Sequence, residues 1–201
     1  MRSKQSLPVS NVSQSYRWEM FMTFVPRPLP PVAQKLCQNL DAPLRLVAHL
    51  TLVHDAAVGI VKGLRQRFPT LSFDEEAVLF GAASHDFGKV LHPAELTGPG
   101  SRHEDDGPGL LERHCVSPQL ARFARTHGAW SREGLPIEDL LVALADTIWK
   151  GQRLDTLEAK VVARIAETTG MEQWDVFDKL DGLLNEIATQ GDERLAWQQK
   201  G

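Results

Sequence analysis

Cysteine is scarce in this chain. Two residues of 201, Cys37 and Cys115, are too few for a disulfide framework, and their neighbours do not make a zinc-knuckle spacing. They read as reduced thiols of a cytoplasmic protein. An excess of positive charge is also missing. The 22 Lys and Arg against 26 Asp and Glu give a formal net charge of −4, so no extended nucleic-acid surface is expected and a polyanionic substrate must be attracted locally. The apolar stretch that follows Arg2 and Lys4, MFMTFV, is shorter than the ~7–15 residues of a signal-peptide core and far below a membrane span, so no membrane partner is expected. No alternating strand pattern extends beyond a few residues, and there is no internal repeat, coiled-coil heptad or Gly-rich phosphate loop. A β-rich fold, a solenoid and a phosphate-loop enzyme are thereby excluded.

What is present is ordinary in bulk and specific in detail. With 42% hydrophobic and 24% charged residues, the chain has the composition of one globular domain with a sizeable core. Residues 1–30 lack a period and end in PRPLPP, which neither continues a helix nor donates to a sheet, so they read as an extended arm. Apolar residues at 46, 50, 53, 57, 60 and 64 predict an amphipathic helix over about 44–64, with His49 beside its apolar stripe. Asp74, Glu75 and Glu76 mark the start of the next helix, which runs to about His85 before Gly88. The stretch 91–109 carries seven Gly and Pro residues and reads as a loop bearing His103. Further helices are predicted at about 109–115, 118–127, 137–149, 155–168 and 172–189, the last ended by Gly191. The class is all-α, a single-domain helical bundle, with a core domain over 31–153 and a C-terminal helical extension over 154–201.

His85-Asp86 closes the apolar run AVLFGAAS and is followed at once by Phe-Gly-Lys. An imidazole beside a carboxylate in a buried context points to a metal site. His49, His103, His127 and Asp146 supply four more ligand types, and Asp146 interrupts LLVALA and TIW, where a buried carboxylate needs a metal or a cation as partner. Imidazole with carboxylate suits Mn, Fe, Co, Ni or Zn, one or two ions. With two, Asp86 would bridge them while His85 binds only one. His49 and His54 are five residues apart and cannot easily face one centre. His49 is preferred because Val53 and Ala57 follow at four and eight residues, which leaves His54 as a neighbour of the site.

The ordered segments AHLTLVHDAA, SHDFGK, HEDDG, RTHGAW and ALADTIW resemble the HD-domain superfamily of metal-dependent phosphohydrolases over roughly residues 44–153. The resemblance implies a helical fold around a mononuclear centre of His49, His85, Asp86 and Asp146. With His103 and His127 also present, the chain is similar to the dinuclear subgroup. It further implies hydrolysis of a nucleotide or another small phosphorylated metabolite by a metal-activated water, with Asp86 and Lys89 in catalytic positions. The lysine of HDFGK lies one turn past His85 and suits a phosphate oxygen. Lys150 and Arg153 follow Asp146 by four and seven residues, so a helix continued that far would present both to substrate, with Arg suited to bidentate contact. Two alternatives share the ligand pattern: a mixed-valent di-iron oxygenase of the same fold, and a non-catalytic nucleotide-binding sensor. A homo-oligomer is open.

Overall fold

The computed structural model describes residues 24–199, so residues 1–23 of the expected arm lie outside it; Phe24 to Pro30 form no regular element. Ten α-helices follow: α1 Pro31–Asn39, α2 Leu44–Arg67, α3 Glu75–Ala82, α4 Arg102–Arg113, α5 Pro118–Ala121, α6 Phe123–Thr126, α7 Ile137–Ile148, α8 Asp155–Thr169, α9 Gln173–Ala188 and α10 Gly191–Gln198. Two 3-10 turns, Phe87–Val90 and Pro93–Leu96, separate α3 from α4. Among the described residues there is no strand, and the fold is all-α as its periodicity predicts.

The core forms around α2. Leu52, Val53, Ala56, Ala57, Ile60 and Leu64 are fully buried against α7, which contributes Leu141, Val142 and Ala145, and against α3 and α9. Each large aliphatic chain so buried contributes roughly 1.5–3 kcal/mol. Although α2 is long and apolar enough to cross a membrane, 67% of that stretch is buried inside the domain, so it is the central core helix. Small residues set the close approaches: a Cβ at Gly63 would collide with the Leu183 side chain, and one at Gly81 would meet Phe123 and Val142. A smaller apolar cluster joins Leu36 of α1, Leu46 and Leu50 of α2, Phe87 of the first 3-10 turn and Leu111 of α4.

Four expectations are corrected. The predicted loop 91–109 holds a 3-10 turn and more than half of α4, so His103 sits in the first turn of a helix. Pro108 and its flanking glycines hid that helix. Its formation rests on tertiary packing, because a Cβ at Gly107 would come within 2.8 Å of the Ala124 side chain. The predicted helix ending near His85 stops at Ala82, and His85-Asp86 lies in the turn that leads into the first 3-10 segment. Helix α7 ends at Ile148, and Gly151 turns the chain with φ +80°, so Arg153 does not share the face of Asp146. Finally, the periodicity did not reveal α1 or α10. Pro31 opens α1 at a position where the missing N–H costs nothing, and Gly191, expected to end a helix, begins one.

Candidate metal centre

Four elements converge on Asp86, which is 1% exposed. On one side, His49 Nε2 of α2 lies 3.0 Å from Asp86 Oδ2 and 3.3 Å from Asp146 Oδ1 of α7. His85 Nε2 is 3.3 Å from His49 Nε2, 3.4 Å from Asp146 Oδ1 and 3.7 Å from Asp86 Oδ2. On the other side, the second oxygen, Asp86 Oδ1, faces His103 Nε2 of α4 at 3.1 Å and His127 Nε2, just past α6, at 3.5 Å. One carboxylate therefore presents a separate oxygen to each of two sets of nitrogens. All six residues that the sequence proposes as ligands are brought together.

The spacing fits a metal. Two atoms each about 2.1 Å from one ion stand about 3.0 Å apart at a right angle and about 3.4 Å apart at the tetrahedral angle. Asp86 Oδ1 and His103 Nε2 are both buried without a properly directed hydrogen bond, an expensive arrangement unless something else binds them. The histidine rings are also held in the ligating orientation. His85 Nδ1 and His127 Nδ1 donate to the carbonyls of Ala82 and Phe123, each at 3.1 Å, and His103 Nδ1 donates to Glu95 Oε2 at 2.6 Å. A proton committed at Nδ1 leaves the lone pair at Nε2, which points to the centre.

Charge is balanced locally. Burial would raise the Asp86 carboxyl, but His85 and the groups of His103 and His49 hold it well below the usual carboxylate range. Burial likewise opposes charge on His49, yet Asp146 and Asp86 push it up to about 9. His127 goes the other way: burial, then the neighbouring His85, lower it to about 4. The Lys89 ammonium is paired with Asp86 Oδ2.

Several site residues escaped the sequence reading. Glu104 approaches His103 and His127 closely enough to join the second set, and the His-Glu pair in HEDDG was its signal. Glu95, in the second 3-10 turn, accepts the backbone N–H of Arg102 and of His103, each at 3.2 Å, as well as the ring N–H of His103. It thereby caps α4 and aims one candidate ligand at once; nothing local in the sequence marks that role. Glu95→Gln should weaken metal affinity of the His103–His127 set by about 10–100-fold, leaving the other set loaded, as read by metal titration. His54 points elsewhere, packed near Arg27 and Asp55, and is no neighbour of the centre. Arg153 is tied into a network with Glu158 at 2.6 Å, Asp181 at 2.9 Å and Asn185 at 2.6 Å, which joins α8 to α9.

A cleft of about 220 Å³ opens onto the centre, lined by His49, Asp86, Lys89, Lys150, Arg45, Leu46, Leu96, Trp149 and Gln198. Lys89 and Lys150 both line it, Lys150 from the turn after α7 and not from a continued helix. Arg45, which the sequence reading did not single out, adds a third cation; its Nε donates to Leu96 O at 3.1 Å.

Fold and site together define an all-helical domain organised round a His/Asp cluster able to hold metal. The HD domain family model matches residues 32–149, more than half of the chain, and the chain belongs to that family. HD domains bind divalent metals and are mostly metal-dependent phosphohydrolases. The comparisons with curated proteins and with solved structures gave no match.

Proposed function

We propose that this protein is a dinuclear metal-dependent phosphohydrolase acting on a nucleotide or similarly small phosphate ester. The observation that carries this reading is the pairing of Arg45, Lys89 and Lys150 with His49 and Asp86 in one cleft: cations to hold a phosphate beside groups suited to metal. His49, His85, Asp146 and Asp86 Oδ2 would hold one ion, and Asp86 Oδ1, His103 and His127 the other. Such ions lower the pKa of a coordinated water toward neutrality and stabilise charge on the oxygens at phosphorus. Lys89, already beside Asp86, offers its ammonium to a phosphate oxygen, and Arg45 and Lys150 hold the ester from the rim. Arg153 is not part of this proposal, since its guanidinium is already engaged by two carboxylates and an amide.

The rim supports hydrolysis over the oxygenase alternative, because three cations beside the centre suit a phosphate, the group that hydrolysis acts on. The test is hydrolysis of a panel of mono- and diesters by protein loaded in turn with Mn, Fe, Co, Ni and Zn, read as inorganic phosphate from the monoesters and as released alcohol and monoester from the diesters. Hydrolysis of either class supports the reading. Oxygen uptake with a mixed-valent EPR signal, and no ester hydrolysis, would overturn it.

Metal binding should be coupled to pH with a definite sign. In the metal-free protein His49, at about 9, carries a proton at pH 7, whereas His127, at about 4, does not. Ligation requires neutral imidazole. Binding at pH 7 should therefore expel close to one proton from His49 and none from His127, with a further release from His103, which Asp86 and Glu95 push up against its burial, measured by calorimetry in buffers of differing ionisation enthalpy. The proton release should fade as pH rises through 9. The same raised value means that His49 stabilises the metal-free fold fully below its unfolded pKa of about 6.5, and that this contribution is lost as pH rises through 9.

A further inference from the structure

The segment beyond the family match returns to the cleft. Helix α10 lies outside residues 32–149, yet its last residue, Gln198, lines the same cavity as Asp86 and Lys89. That return is held by an unusual anchor. Arg194 is 1% exposed; its Nε and Nη2 both lie 3.1 Å from Asp55 Oδ2 in the middle of α2, its Nη1 donates to Ile187 O at 2.9 Å and its Nη2 to Gln190 Oε1 at 2.9 Å. Asp55 is also bound by the backbone N–H and the guanidinium of Arg27, at 3.1 and 2.9 Å. A buried ion pair contributes little net stability, but it fixes register, because any shift strands a charge.

The start of α10 is pinned as well. A Cβ on Gly191 would lie 2.5 Å from the Gly151 nitrogen, so α10 begins pressed against the turn that carries Trp149 and Lys150. Arg194 and Gln198 are four residues apart and share one face of the helix. Fixing the first therefore fixes where the second stands, one turn on. The cleft wall made by Gln198 differs in chemistry from the rest. Arg45, Lys89 and Lys150 are cations suited to phosphate oxygens. The carboxamide is neutral, with two N–H donors and one acceptor, and suits a hydroxyl or a carbonyl.

Resting on the phosphohydrolase reading, we infer that α10 is a specificity wall, and that Gln198 hydrogen-bonds the organic part of the substrate while the three cations hold its phosphate. The substrate class that follows is a phosphate ester of a compact body bearing a hydroxyl or carbonyl, of sugar or nucleoside size. A continuous polynucleotide backbone does not suit a small cleft walled on one side by a helix that is locked in place.

The experiment compares wild type with Gln198→Ala in the full chain, both loaded with the most active metal. Gln198 is only partly buried, so the substitution leaves the core untouched. Loss of one neutral hydrogen bond should raise KM for the best ester by about three- to tenfold, with kcat within about twofold. Inhibition by inorganic phosphate, which has no organic part, should be unchanged, as should the metal content. Equal KM values in the two proteins would overturn the assignment of Gln198. A parallel weakening of phosphate inhibition would also overturn it, because it would mean that α10 supports the cation rim and not substrate choice. Failure of the wild type to hydrolyse any ester sinks the phosphohydrolase reading instead. In that event, equal affinity of wild type and Gln198→Ala for unhydrolysed sugar and nucleoside phosphates, measured by calorimetry, overturns the specificity wall separately.

Discussion

Asp86→Ala should empty the site. The purified variant is expected to carry close to no metal per chain, against the two equivalents proposed for the wild type, and ester hydrolysis should fall by about a thousandfold or more, the scale of several kcal/mol of transition-state charge stabilisation. The reason lies in the division of its two oxygens. Oδ2 faces His49 and His85, and Oδ1 faces His103 and His127, so a single truncation takes one ligand from each set. It also removes one of the two carboxylates, Asp146 being the other, that keep His49 protonated in the metal-free protein, so the imidazole at position 49 should titrate lower in the variant, readable by NMR. Elemental analysis decides the matter: two retained equivalents in Asp86→Ala would exclude a bridging role.

Gly88→Ala should separate the two halves of the centre. A Cβ at this position would come within 2.1 Å of the His103 carbonyl oxygen and 2.9 Å of its Cα, and neither the first 3-10 turn nor α4 can yield by rotating a side chain. Backbone must move, at a cost of about 3 kcal/mol, the upper part of the range for overpacking. The shift carries His103 away from Asp86 while leaving His49, His85 and Asp146 in place. The expected result is a folded protein of lower melting temperature that holds one equivalent of metal. Retention of both equivalents at wild-type affinity would show that the close approach of Gly88 to His103 is not what positions that histidine.

The sequence was most informative where one residue type had one physical explanation. The three-and-four spacing from Leu46 to Leu64 required a helix with a buried stripe, and α2 is that helix. His85-Asp86 in an apolar run and Asp146 in another implied partners, and they meet within hydrogen-bonding range of the same histidine, His49. Reading failed where tertiary packing overrode local signals. Pro108 and the glycines around it argued for a loop, yet α4 forms because Gly107 lets it press against Ala124 and because Glu95 caps its first turn. Counting forward from Asp146 along an assumed helix placed Arg153 at the site, whereas Gly151 reverses the chain and sends that side chain to Glu158 and Asp181. Arg45 and Gln198 were illegible because they are ordinary surface residues in sequence, distinguished only by what folds up against them.

The manner in which each ring is held bears on how this centre would change under mutation. His85 and His127 donate to backbone carbonyls three and four residues earlier, bonds that survive replacement of any side chain. His103 depends instead on the Glu95 carboxylate, carried by a separate turn, and on the close approach of Gly88 to its backbone. The two halves therefore differ in mutational robustness. Substitution of Gly88 or Glu95 would disturb His103 first, because neither residue positions the rings of His49 and His85 or the Asp146 carboxylate.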